Sequence, residues 1–301
     1  MERVAVWLSG PRHRVILLGA AMFMVPLLMP FGAALVAFAT LLKGTREGLL
    51  SAVAAATVLA VVSLISGGQP LILFATAVVV LAAVVGAATL VGRSDSLDFA
   101  FQVGALLLAG LAAVLATLPI GRQVAEAFAP EFAALLMATG VATDEARATA
   151  EAMSRLLFGL ALGGMLISLS IAMLLGRWLE GLARPPQQLG GNFRALQAGR
   201  LVTLVASAVF IGAMFTAGFG ALGNAALVFV MAMVLQGLAV VHGLAKRYAL
   251  HAGWLAVLYV LLLPWTPLSP FVLMGVATIG YLDNWFGFRA PRGGAPPPQD
   301  T

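Results

Sequence analysis

The chain has 301 residues, of which 61% are hydrophobic and 10% charged, with a formal net charge of +5 and no cysteine. Soluble domains spend about a quarter of their residues on charge, so this composition excludes a water-soluble globular fold. The missing cysteines exclude disulfides, thiolate metal sites and thiol nucleophiles. The basic residues are scattered among short loops and form no stripe for nucleic acid.

The first apolar element, Val15 to Leu42, is broken. It carries Pro26 and Pro30, with Arg12 and Arg14 before it and Lys43 and Arg46 after. It is too long for a signal-peptide core. One crossing cannot leave both basic flanks on the same side, so two short helices joined at Met29 to Gly32 are expected. They form a re-entrant hairpin or two spans. Each is about 18 to 22 Å long, short of a hydrocarbon core of roughly 30 Å.

Runs of spanning length follow: Gly48 to Ser66, Leu71 to Val91, Phe99 to Pro119, Leu156 to Gly176, Leu201 to Gly220 and Ala225 to Leu244. The last apolar stretch is interrupted by Pro264, Pro267 and Pro270. It reads as a helix from Ala252 to Leu263 and a final span from Pro270 to Phe286. The runs are apolar on every face, unlike the alternating strands of a membrane β-barrel. The expected fold is an all-α, polytopic transmembrane helix bundle. It has about eight full spans plus a broken N-terminal helix pair, in one membrane domain over 1–289.

Between the third and fourth runs, the segment 120–154 is amphipathic, with Val124, Phe128, Phe132 and Leu136 on one helical face. Pro130 is expected to start a second helix, and Thr143 to cap another whose first turn holds Asp144 and Glu145. The segment 177–200, which contains Arg184-Pro185-Pro186, reads as a flexible linker. The tail 290–301 is Pro/Gly-rich and expected to be disordered. All but Arg122, Arg147 and Arg155 of the 17 Lys and Arg residues fall on one side of the alternating segments. Positive charge is retained on the cytoplasmic side. Both termini are therefore expected in the cytoplasm, with 120–154 outside.

Gly218 to Gly223 fits G-x-G-x-x-G, but a span precedes it and Val240 and Val241 stand where the ribose-binding acid belongs. These glycines are expected only to make a turn. There is no P-loop and no H-E-x-x-H, so no motor, cofactor or metal is expected in the chain, and it is not expected to be an enzyme. Gly159 with Gly163, and Ser51 with Ala55, have the small-residue spacing of helix-packing seams.

Polar residues inside spans are costly and mark candidate sites. Gln236 lies near mid-span and His242 near the interface, while Asp283 and Asn284 close the last span. These are the candidate substrate-binding residues. The alternative role is structural: an interhelical hydrogen bond for Gln236, and a clamp in which Arg289, Arg247 or Lys246 pairs with Asp283.

QGLAVVHGLAKR over 236–247 and GYLDNWFGFR over 280–289 resemble the closing segments of the YybS-like bacterial membrane proteins. EFAALLMATGVATDEARATAEAMSRLL over 131–157 and LLKGTREGLLSA over 41–52 are similar to the same pattern. That family is distantly similar to the substrate-binding S components of energy-coupling-factor transporters. The resemblance implies a small-molecule-binding or transport subunit and assigns no site residue; with no P-loop in the chain, the expected protein partner is an ATPase or another membrane subunit. The alternative function is a non-catalytic membrane scaffold or assembly partner.

Overall fold

The computed structural model describes residues 2–25, 28–183, 189–216, 220–263 and 266–289. Among them are helices α1 (Glu2–Leu8), α2 (Arg12–Phe23), α3 (Met29–Lys43), α4 (Thr45–Ile65) and α5 (Pro70–Ser94). They are followed by α6 (Leu97–Thr117), α7 (Pro119–Ala138), α8 (Thr143–Arg155), α9 (Leu157–Ala183) and α10 (Leu189–Ala195). The last four are α11 (Gly199–Phe215), α12 (Ala221–Arg247), α13 (Gly253–Leu261) and α14 (Ser269–Phe286). The protein is an all-α, multi-pass membrane bundle. Of the eight expected spans, α4, α5, α6, α9 and α12 are long and apolar enough to cross a membrane. By contrast α11 and α13 are shorter, and polar Asp283 and Asn284 lower the hydropathy of α14.

The helices alternate in direction. One end of the bundle therefore carries the 94–97 turn, the 196–199 segment and Arg289, and is called the basic end. The far end carries α7 and α8. The axis of the bundle is α12, with 61% of its spanning window buried against 22–33% for the other four long helices. Gly237 and Gly280 set its crossing with α14: a Cβ on either would overlap a main-chain carbonyl of the other helix, at Val276 and Met233. On its other flank, Gly159 meets Asn224 and Gly163 meets Met231, so the expected small-residue seam joins α9 to α12. One buried cluster gathers Phe101, Leu166, Val202, Phe229 and Met233 around α12. A second gathers Ala37, Leu81, Val84, Ala88 and Met173 where α3, α5 and α9 meet. Apolar side chains on the outer faces stay exposed, as lipid solvation requires; Phe215 is 85% and Leu71 77% accessible.

Several boundaries differ from expectation for physical reasons. The join between α2 and α3 precedes Met29, because Pro30 occupies the first turn of α3, where a missing N–H costs nothing. Pro130 lies inside an unbroken α7 rather than starting a helix. Thr143 is the first residue of α8 and makes no side-chain cap, although Asp144 and Glu145 do occupy the first turn. The expected linker start at Arg177 falls inside α9, which continues to Ala183. The Pro-Pro part of the linker and the 290–301 tail lie outside the described residues, as does part of the Gly218–Gly223 turn.

The α2–α3 pair is a short hairpin whose helices approach closely where Gly32 faces the Gly19 carbonyl. Phe23 and Met29 line a groove of about 430 Å³ with Leu59 and Ser63 of α4 and with Thr76 and Ala77 of α5.

Candidate functional site

Between α10 and α11, residues Leu196 to Ala198 belong to neither helix, although Leu196 is 3% and Ala198 0% exposed. Buried main-chain groups that lose helical partners need others, and side chains from α6, α12 and α14 supply them. Gln236 accepts from the Ala198 N–H at 2.7 Å, and Asn284 accepts from the Gly199 N–H at 3.1 Å. Asp98 accepts from the Gln197 N–H at 3.0 Å, and Gln102 donates to the Gln197 carbonyl at 3.3 Å. Gly199 has φ +76, a left-handed conformation open to glycine, and a Cβ there would meet the Gln102 amide at 2.8 Å.

The carbonyls at the end of α10 face the opposite need. Arg289 Nη1 donates to the Arg194 carbonyl at 2.6 Å and to the Leu196 carbonyl at 3.0 Å. Its charge is balanced by Asp283, whose Oδ2 accepts from Arg289 Nη2 at 2.7 Å and Nε at 3.1 Å. The side chains of this pair are 12% and 3% exposed, and removing either partner would leave an uncompensated buried charge. Gln236 Nε2 donates to the same Oδ2 at 3.2 Å, and Asn284 Nδ2 donates to Gln236 Oε1 at 3.0 Å. The other Asp283 oxygen, Oδ1, is buried with no hydrogen-bond partner. Gly287, at φ +59, ends α14 and lets the chain turn so that Arg289 reaches back.

Three of the four expected site residues, Gln236, Asp283 and Asn284, therefore converge on the α10–α11 junction, and Arg289 is the cation that pairs. His242 stands apart. Its Nδ1 lies 2.8 Å from the Leu238 carbonyl, and its ring packs edge-on to Phe193 and 3.4 Å from the Tyr259 hydroxyl. The contributions of Asp98 and Gln102 carry no sequence signal, because both sit near the start of an ordinary span.

Two further polar knots hold the bundle. At the far end, fully buried Asn224 accepts from the Gly159 N–H at 2.7 Å and donates to the Arg155 and Gly220 carbonyls at 2.8 and 3.0 Å. It thereby spans the break between α8 and α9. At the basic end, buried Arg177 pairs with Asp95 of the α5–α6 turn and with Glu180.

Among the described residues no group of three or more His, Cys, Asp or Glu is placed to hold a metal ion. Comparison with family models, with curated proteins and with solved structures found no match. The fold and the site define the class, a multi-pass all-α membrane protein with a buried polar cluster at its basic end.

Proposed function

We propose that the chain is a small-molecule-binding or transport-related membrane subunit whose site is the α10–α11 interruption and its ring of Gln236, Asp283, Asn284 and Arg289. The observation that carries this reading is irregular, buried backbone beside an Asp283 oxygen with no partner. Gln236 lies about 16 Å along α12 from Arg247, and irregular backbone buried within protein is where membrane transporters often place their sites. The resemblance to the YybS-like family and its distant likeness to transporter S components supports the same assignment. On this reading α11, the α13 segment and α14 complete about eight crossings. The termini then lie in the cytoplasm of a bacterium with its inner membrane crossed, and a partner ATPase supplies the motor.

A scaffold role is the second reading, and one observation favours it: both polar atoms of Gln236 are already bonded within the protein. Purification in mild detergent, with mass spectrometry of copurifying metabolites and proteins, separates the two. A retained metabolite, lost in Gln236→Ala while the protein stays folded, is expected. A stable protein complex that carries no small molecule, with no thermal stabilisation across a vitamin and metabolite panel, would instead establish the scaffold role.

A further inference from the structure

The far end holds a second polar feature, independent of the α10–α11 junction. Between the α7–α8 pair and the ends of the spans lies an open cavity of about 550 Å³, whose lining includes Arg122, Glu126, Glu151, Arg155 and Phe158. The four charged side chains are exposed, and among the described residues they form no ion pair with one another. Two cations and two anions that share one cavity without neutralising each other leave both signs open to a ligand.

The cavity is also held in shape from beneath. Asn224 ties the main chain of Arg155 to that of Gly220, and Gly220 itself lines the cavity. Gly121 fits closely against the Leu115 carbonyl, with no room for a side chain. The first turns of α7 and α9 and the N-cap of α12 contribute Gly121, Phe158 and Gly220 to the wall. The N-terminal dipole of α12 adds to the arginines in favouring an anionic group there.

We infer that this cavity binds a zwitterion, a molecule with one phosphate or carboxylate and one ammonium group. Arg122 and Arg155 take the anion and Glu126 and Glu151 take the ammonium, in a cavity whose lining also includes the apolar Ala125, Ala129 and Phe158. Two sources offer that chemistry: a free solute such as an amino acid, or the head group of phosphatidylethanolamine. The inference does not rest on transport, since the cavity binds whether or not the solute crosses.

The test uses the full chain in nanodiscs of phosphatidylglycerol alone, titrated with O-phosphoethanolamine and with glycine. Saturable binding is expected, at least about tenfold weaker in Arg122→Gln/Arg155→Gln and in Glu126→Gln/Glu151→Gln. Ethanolamine and inorganic phosphate, each with half the charge pattern, are expected to bind at least about tenfold more weakly. A lipid source gives a different result: no binding of the free solutes, but, from a second set of nanodiscs holding equal phosphatidylethanolamine and phosphatidylglycerol, phosphatidylethanolamine retained over phosphatidylglycerol in native mass spectra and lost in both double variants. Each double variant is checked for folding by circular dichroism. Binding of neither kind, or binding unchanged in folded double variants, would overturn the inference.

Discussion

Asn224 illustrates how much one side chain carries in a bundle with few polar groups. It satisfies one donor and two acceptors from three segments, all close to the point where α8 gives way to α9. Asn224→Ala leaves the Gly159 N–H and the Arg155 carbonyl without this partner. The expected loss is about 2 kcal/mol, read as a lower midpoint in denaturation with sodium dodecyl sulfate. An unchanged midpoint would mean water replaces the amide. Crowding matters as much as bonding at Gly280. A methyl group there overlaps the Met233 carbonyl, so Gly280→Ala is expected to cost about 2 kcal/mol through forced separation of α12 and α14. The same denaturation assay reports it.

At the scale of the element, the α10–α11 junction brings a helix end and a helix start together inside the protein, and side chains supply hydrogen bonds to both. Gly199→Ala is expected to strain the left-handed residue and displace Gln102. Amide hydrogen exchange over 196–203 should then speed by at least about tenfold, while exchange in α4 and α5 stays unchanged. Equal acceleration in all three regions would point instead to global loosening. This element also marks where sequence reading stops. Gln236, Asp283 and Asn284 are legible because polar groups are rare in spans and need a reason. Their shared target is not legible, because Leu196, Ala198 and Gly199 look like the end of a linker and the bonds they receive are to main chain. The hairpin is legible from its prolines and doubled basic flanks. Its exact join is not, because a proline can open a helix as readily as end one.

For the whole molecule, orientation is the property most open to direct measurement, because the chain has no cysteine. Single cysteines at Ser66 and Thr143 are expected to react with a membrane-impermeant maleimide in spheroplasts. Cysteines at Ser94 and Ala249 are expected to react only after lysis. The reverse pattern would invert the positive-charge argument. The long apolar helices are legible at this scale because hydropathy alone marks them. The amount by which α12 is enclosed is not, since its sequence is no more apolar than that of its neighbours. Enclosure depends on glycines at 159, 163, 237 and 280 meeting across three helices.

The short α2–α3 hairpin stands beside much longer helices. α9, which packs against α3, has 27 residues, or about 40 Å, whereas α2 spans about 18 Å. A bilayer bordering both cannot match both. Lipid chains must fill the groove at Met29, or the membrane must thin beside it, and either response costs more as the acyl chains lengthen. A local mismatch at the hairpin is expected to make the stability of the protein responsive to membrane thickness. Its melting temperature is expected to peak in short-chain phosphatidylcholine bilayers and fall as the chains extend, and a flat profile would show that the groove absorbs the difference.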